Sequence, residues 1–138
     1  MNKGHIVQIM GPVVDVEFGE NLPALHNALS VKREGQKELM LEVAQHLGGK
    51  RVKTIAMDST DGLRRKMEVE DTGAPILVPV GESVLGRMFS VLGEPIDNGD
   101  PLNKDVERRA IFHPAPPFKD QKVEPELFET GIKVIDLL

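Results

Sequence analysis

Gly4-His-Ile-Val-Gln-Ile-Met-Gly-Pro-Val-Val-Asp-Val-Glu-Phe18 is the stretch that decides the fold. Residues 5–10 predict a first strand, and Gly11-Pro12 predicts a break or bulge after it. Residues 14–18 alternate apolar and acidic side chains, and this is the pattern of a half-buried strand, because successive side chains point to opposite faces. The chain therefore opens with two short strands.

The same alternation continues to about residue 80. Residues 29–31 and 39–43 flank the turn-forming Glu34-Gly35-Gln36 and predict a hairpin. Residues 52–57 favour a strand and precede turn chemistry at 59–62. Residues 67–70 alternate again, and residues 76–80 predict a strand that Pro75 and Pro79 place at an edge or rim. About six short strands with regular spacing indicate a small closed barrel or sandwich, and closure removes exposed strand edges.

The hydrophobic period changes after residue 80. Leu85, Met88, Phe89 and Leu92 have helical spacing, which predicts a helix that starts at Ser83 and stops at Gly93 before Pro95. We therefore expect a mainly β fold, in which residues 1–80 form a closed six-stranded β-barrel. Residues 81–138 are expected to be the incomplete start of an α/β nucleotide-binding domain.

The end of the sequence predicts a second helix. Thr130 can cap it, and Ile132, Ile135 and Leu138 then form one apolar face. Because this face ends on two leucines without a polar tail, we expect the chain to be a piece of a longer protein. The apolar side chains of residues 127–138 are expected to be covered by the barrel or by a second copy of the chain.

Composition narrows the classes of function. The 138 residues carry a net charge of −5, with no Cys, no Trp and no Tyr. The absence of Cys excludes disulfides, thiol catalysis and thiolate metal sites. Nucleic-acid binding usually requires a basic face and stacking rings, and this chain has neither in quantity. No apolar run approaches the roughly 20 residues that cross a bilayer, so direct membrane insertion is not expected.

One glycine pair has the spacing of a phosphate-binding loop. Gly81 and Gly86 are followed by Arg87 and Met88, whereas that loop requires Lys for the phosphates and Ser or Thr for Mg²⁺. The glycines also fall at the start of the predicted helix. We therefore interpret them as structural, not as a nucleotide site.

The remaining polar groups give no site either. The four histidines, at positions 5, 26, 46 and 113, lack the short spacing of metal ligands. Glu68 and Glu70 share one face of an alternating strand beside Asp71, which indicates a solvated surface. Residues 97–100 (Asp-Asn-Gly-Asp) resemble part of a calcium loop but lack its later ligands, so they predict a turn. We assign no catalytic, cofactor-binding or metal-binding residue to this chain.

Several blocks of the chain resemble the catalytic β subunits of F-type ATP synthases, in the family's order. They are residues 4–18, 54–65 (Thr-Ile-Ala-Met-Asp-Ser-Thr-Asp-Gly-Leu-Arg-Arg), 71–75, 79–81, 85–97 (Leu-Gly-Arg-Met-Phe-Ser-Val-Leu-Gly-Glu-Pro-Ile-Asp) and 129–137. The resemblance spans the chain from end to end, and the 54–65 block looks β-type. One departure is Lys66, where the family pattern has Gly.

The resemblance implies a scaffold role within a rotary enzyme that makes ATP from ADP and phosphate using a proton gradient. Its β subunits alternate with α subunits in a six-membered ring around a central stalk. The N-terminal barrels form a crown, and the complex is peripheral on the cytoplasmic side of the bacterial plasma membrane. The family's phosphate loop and catalytic groups come after the segment that matches residues 130–138. MgATP or MgADP would therefore bind the whole subunit, and this piece alone should neither bind nor hydrolyse ATP.

Two other classes of function stay open. The chain can be the equivalent region of a related ring ATPase, namely an α subunit or a flagellar or secretion ATPase. It can also be a stand-alone barrel that binds a nucleic-acid strand or a peptide. A continuation into a Gly-rich loop ending in Gly-Lys-Thr would favour the β subunit.

Overall fold

The computed structural model describes residues 2–19, 21–103, 105–121, 124 and 126–137. Within them lie eight strands and one α-helical turn. The elements are β1 (Lys3–Met10), β2 (Val13–Phe18), β3 (Asn27–Val31), β4 (Leu39–Gly48), β5 (Arg51–Ala56), β6 (Glu68–Pro75), β7 (Leu77–Pro79), β8 (Arg108–Ala110) and α1 (Lys133–Asp136).

The first six strands form a closed antiparallel barrel in the order β1-β2-β5-β4-β3-β6. The barrel closes where β1 pairs with β6, with Gly4 opposite Val69. β6 also pairs with β3, so the last barrel strand in sequence lies between the first and the third. The predicted closed six-stranded barrel is therefore confirmed.

The interior of the barrel is filled by the apolar residues of the alternating pattern. The eleven buried side chains are Ile6, Val14, Val16, Phe18, Leu29, Val31, Leu39, Leu41, Val43, Val52 and Val69. Thr54 is the one polar side chain among the buried residues of the described ranges, and its hydroxyl donates a 2.7 Å hydrogen bond to the Val14 carbonyl. A buried hydroxyl without a partner would be costly, so this bond makes Thr54 compatible with the core.

Two glycines shape the hairpin formed by β1 and β2. Gly11 and Pro12 form the connection between β1 and β2, and Gly11 has the positive φ of +58° that a two-residue hairpin loop often needs. Gly4 lies against β2, because a Cβ at this position would stand 2.7 Å from the Glu17 carbonyl oxygen and 3.0 Å from the Phe18 ring. A glycine on β1 therefore permits close packing of these two strands.

The predicted hairpin between residues 29–31 and 39–43 is present as β3 and β4, with Leu29 opposite Leu41. However, β4 is longer than predicted and continues to Gly48. Its outer half pairs with β5, with His46 opposite Val52 and Gly48 opposite Arg51. The apolar alternation ends at Val43 because this extension is exposed on both faces, so the pattern gave no sign of it.

The strand predicted over residues 76–80 is shorter and lies outside the barrel. It is β7, and it pairs with β8 in a separate two-stranded sheet in which Leu77 faces Ala110. β8 falls in the segment 102–125, for which the sequence pattern predicted no strand. The division of the chain into residues 1–80 and 81–138 stays a prediction.

The helix predicted from Ser83 to Leu92 is wrong. A short 3-10 helix covers only Glu82–Val84, and Gly86 then takes a φ of +71°, which an α-helix does not accommodate. The following residues fold back as a tight loop, in which Phe89 bridges to Pro95 and the Ile96 amide donates to the Met88 carbonyl. Helical spacing of apolar residues thus arose here without a helix, and Leu85 is 75% exposed.

The C-terminal helix is present only as α1, a single turn. The Thr130 hydroxyl accepts a 3.1 Å hydrogen bond from the Ile132 amide and lies 2.6 Å from the Asp136 carboxylate. The Asp136 carboxylate also accepts from the Thr130 and Gly131 amides, and these bonds lower its pKa, with the Thr130 hydroxyl contributing most. The prediction that Thr130 caps the helix is wrong, because Ile132 holds the N-cap position and no side chain caps α1; Thr130 instead contacts the turn from two residues further upstream. Leu138 lies outside the described residues.

Candidate functional site

The most completely paired polar cluster outside the barrel is built on Arg87 and Asp97. The Arg87 Nε and Nη2 atoms donate to the two oxygens of the Asp97 carboxylate, and the second bond measures 2.9 Å. Both side chains are largely sheltered, at 20% and 15% exposure. The Arg87 guanidinium holds the pKa of Asp97 well below its usual range, with help from the Gly99 and Met88 amides. Asp97 correspondingly raises the pKa of Arg87.

This cluster contains residues from two motifs of the sequence, the segment 97–100 and the Arg87 that follows the glycine pair. Asp97 accepts from the Gly99 amide at 3.1 Å, and Arg87 Nη2 donates to the Asp100 carbonyl at 2.9 Å, so residues 97–100 form a turn, as predicted. Arg87 is therefore engaged with this turn. Gly81 and Gly86 both have positive φ and flank the short 3-10 helix, so they act as structural breaks in the backbone.

A second charged cluster crosses the barrel surface where β1, β6 and β3 meet. Lys3 Nζ lies 2.7 Å from Glu68 and 3.3 Å from Glu70, and Lys32 reaches Glu70 at 3.9 Å. The two glutamates raise the pKa of Lys3, and the hydrogen bond that Lys3 donates to Glu68 contributes most. Glu68 and Glu70 point outward while Val69 is buried, as the alternation predicted, but they are paired with lysines and not merely solvated.

A cleft of about 500 Å³ adjoins this cluster. Strands β3 and β6 supply Ser30, Glu68 and Glu70, and the β3–β4 loop supplies basic residues, among them Lys32 and Arg33. Arg33 is held in place because its guanidinium donates to the carbonyls of Lys37, Ser59 and Asp61. The cleft is therefore lined by side chains of both charges, and one of them, Arg33, is fixed by hydrogen bonds to the backbone.

Another outward face of the barrel carries an apolar row. Met10, Val13 and Ile55 are cross-strand neighbours on β1, β2 and β5. Met10 and Ile55 are exposed, and Val13 is partly buried. These three side chains form a small apolar row on the outside of the barrel.

The four histidines are dispersed over the molecule. His46 Nε2 lies 2.8 Å from the Pro23 carbonyl, His113 lies beside the carbonyl of Pro114, and His26 stacks on Phe112. No group of three or more His, Cys, Asp or Glu residues in the described ranges is placed to hold a metal ion. No helix among the described residues is long and apolar enough to cross a membrane.

The C-terminal apolar residues are not covered by the barrel. Leu127 is 91% exposed and Phe128 is 84% exposed, and both Ile132 and Ile135 are also exposed. The expectation that the barrel buries them is therefore wrong, because α1 and the segment before it bury none of their side chains against other parts of the chain that the structure describes. The alternative, burial by a second copy, stays a prediction.

The family assignment follows from the barrel. Residues 6–73 match the model of the ATP synthase alpha/beta family, beta-barrel domain. The match begins in β1 and ends in β6, so it includes part or all of every barrel strand. Over these residues the barrel is similar to the β-barrel domain of the ATP synthase alpha/beta family. This family comprises ATPase subunits and implies assembly into alpha/beta hexameric rings.

The interior of the barrel is filled by its own side chains, and the polar clusters described above are paired internally. Its outer surface carries two distinct features, the apolar row on β1, β2 and β5 and the charged cleft beside β3 and β6. Sequence reasoning missed two contacts, Arg87 with Asp97 and His26 with Phe112. The first lies within the 85–97 block of the family resemblance, and the second joins residues far apart in the chain, for which the sequence carries no local signal.

Proposed function

We propose that this chain is the barrel-bearing N-terminal region of a catalytic β-type subunit of an F-type ATP synthase. Its role is to hold neighbouring subunits together in the ring. The observation that carries the proposal is the closed six-stranded barrel, whose core is complete and whose residues 6–73 match the family. Because its interior is filled, the barrel can contact other molecules only through its outer surface. Assembly with neighbouring subunits is therefore the function that this structure supports best.

The arrangement of the two surface features supports a place in a ring. A closed ring of unlike contacts requires two different faces on each unit. The barrel order separates β2 and β5 from β3 and β6, since each of these pairs lies across the barrel from the other. The apolar row and the charged cleft therefore lie on opposite sides, where the preceding and the following barrels of a ring would meet them.

The β-type assignment is supported by residues 54–65. In the fold this block runs from β5 into a turn that is tied to the rest of the barrel. The Thr60 hydroxyl donates to the Gly11 carbonyl at 2.9 Å, and Arg33 donates to the carbonyls of Ser59 and Asp61. The block thus combines a β-type sequence with a defined position at one end of the barrel.

Nucleotide chemistry is assigned to the rest of the proposed subunit. Phosphoryl transfer depends on backbone amides, Lys, Mg²⁺ and Arg arranged around the phosphates. We propose that MgATP or MgADP binds residues beyond position 138 and that proton-driven rotation of the central stalk powers ATP synthesis there. The complex would lie on the cytoplasmic side of a bacterial plasma membrane, and α subunits would be the direct neighbours of this barrel.

A graft experiment tests the proposal and separates it from its alternatives. Residues 1–80 replace the barrel of either the β or the α subunit in a bacterial F1 complex that is reassembled from purified subunits. We expect native mass spectrometry to show hexamers with the β graft and poor assembly with the α graft. The reverse result would make the chain α-type. Failure of both grafts, with each grafted subunit folded, would favour a flagellar or secretion ATPase or a stand-alone barrel.

A further inference from the structure

His26 holds an unusual backbone position just before β3. Its φ is +68°, a left-handed value that histidine tolerates better than most residues with a Cβ. Its amide donates a 2.8 Å hydrogen bond to the Val43 carbonyl of β4, which fixes the residue to the barrel. The side chain is consequently directed away from the barrel core, and 47% of it is exposed.

The imidazole of His26 lies on the ring of Phe112. The ring centroids are 3.8 Å apart and the planes are inclined by 25°, which is a stacked arrangement. Phe112 follows β8, and the amide of the intervening Ile111 donates a 3.1 Å hydrogen bond to the Ile76 carbonyl. The stack therefore connects the barrel to the end of β8 in the two-stranded sheet.

A carboxylate faces the same imidazole. Glu42 Oε1 lies 3.6 Å from His26 Nδ1, and the Glu42 side chain is only 13% exposed. The carboxylate of Asp71, on β6, accepts a 3.1 Å hydrogen bond from the side-chain amide of Asn27, the residue after His26. On the other side of the stack, His113 follows Phe112, and its Nδ1 lies beside the carbonyl of Pro114. Glu42 is thus the charged group in direct reach of the His26 ring.

We propose that His26, Glu42 and Phe112 form a proton-sensitive clasp between the barrel and the β7–β8 sheet. A neutral imidazole stacks on Phe112 through apolar contact. A protonated imidazole adds attraction to the electron-rich face of the phenyl ring and to the Glu42 carboxylate. Protonation of the His26 imidazole therefore tightens the clasp.

The clasp lies within a single chain and does not depend on a place in a ring. The Ile111 amide reports whether the clasp is closed. Its hydrogen bond to the Ile76 carbonyl, between β6 and β7, breaks when β8 separates from β7. Its protection factor, measured by NMR hydrogen exchange on the full chain, should be about threefold to tenfold higher at acidic than at neutral pH. The midpoint of that change should coincide with the titration of the His26 ring protons.

Three variants and one control complete the test. His26→Asn keeps a residue that accepts positive φ but removes the ring, and Phe112→Leu keeps apolar bulk but removes the aromatic face. Both should abolish the pH dependence, and Glu42→Gln should reduce it. His5→Asn, on the exposed surface of β1, should leave it intact.

Two results would overturn the clasp. The first is an Ile111 protection factor that does not change with pH in the parent chain. The second is a pH dependence that survives in His26→Asn. Should a variant fail to fold, the parent chain still decides, because the Phe112 ring resonances must move with the His26 midpoint.

Discussion

Arg87 and Asp97 face each other with two guanidinium nitrogens against two carboxylate oxygens. This geometry matches the planar fork of arginine to the planar carboxylate, and lysine would not reproduce it. Because Arg87 also donates to the Asp100 carbonyl, the pair fastens the 97–100 turn to the segment that follows the 3-10 helix. One contact thereby organises much of the loop between β7 and β8.

The first prediction concerns the pH range over which this contact survives. The pKa of Asp97 in the folded chain is lower than its ordinary value of about 3.9. The contact therefore stabilises the loop at every pH above that ordinary value, and its contribution is lost as the pH falls through the lower folded-state pKa. NMR of the Asp97 carboxyl carbon and the Gly99 amide should show little change from pH 7 to about 4.

Asp97→Asn should loosen the turn at every pH above the folded-state pKa of Asp97, since it removes the charge that Arg87 contacts. Asp100→Asn is the matched control, because Arg87 uses the backbone carbonyl of that residue. An Arg87 Nε proton that exchanges equally slowly in Asp97→Asn and in the parent would contradict the assigned role of the pair.

The second prediction concerns the contact between β1 and β2. In Gly4→Ala the new methyl group would meet the Glu17 carbonyl oxygen at 2.7 Å, closer than packing allows. We expect a loss of about 1–3 kcal/mol in the free energy of unfolding, measured with urea. Gly19→Ala is the control, because its methyl group would have no atom within 4 Å. Equal stability of the two variants would show that the strands separate without cost.

The third prediction concerns Lys66, where the family pattern has Gly. Lys66 has a φ of +71°, a left-handed conformation that is costly for residues with a Cβ. Lys66→Gly should therefore be neutral or more stable by up to about 1 kcal/mol, because relief of strain outweighs the added freedom of the unfolded chain. Lys53→Gly, within β5, should instead destabilise the barrel by about 0.5–1 kcal/mol. Urea unfolding compares the two, and a marked loss in Lys66→Gly would refute the strain.

Sequence reasoning located the barrel because alternation reports which side of a strand is buried. Val14, Val16 and Phe18 fill the core as their spacing predicts. The pairing of β1 with β6 is invisible to such patterns, since it depends on long-range closure of the sheet. The outer half of β4 was missed for a related reason, because a strand that is exposed on both faces has no alternation.

The wrong helix has a different cause. Apolar spacing of three and four residues also occurs in a loop that folds back on itself, and Leu85 and Met88 are exposed there and form no buried face. The positive φ of Gly86 decides against a helix, but a glycine permits that conformation without requiring it. The contacts of Arg87 and His26 could not be predicted, because side chains that meet across loops leave no periodic trace.

The fourth prediction concerns nucleotide. Calorimetric titration of this chain with MgATP should give no saturable heat, because Gly81 and Gly86 are followed by an arginine already paired with Asp97. An intact F1-ATPase in the same buffer is the positive control and should give saturable binding. A dissociation constant in the micromolar range for the chain alone would refute the assignment of nucleotide binding to residues beyond position 138.

The fifth prediction concerns the apolar residues of the segment 127–138. Each fully buried side chain of this kind contributes about 1.5–3 kcal/mol, and Leu127 and Phe128 bury little of theirs within the chain. We therefore expect copies of the chain to associate through this segment, with a molecular mass that rises with concentration in sedimentation equilibrium. Phe128→Asp should shift the equilibrium to monomer. Phe118→Asp, which changes an equally exposed phenylalanine outside the segment, should leave it unchanged. A parent chain that stays monomeric at the highest attainable concentration would show that these side chains remain in water and await a different partner.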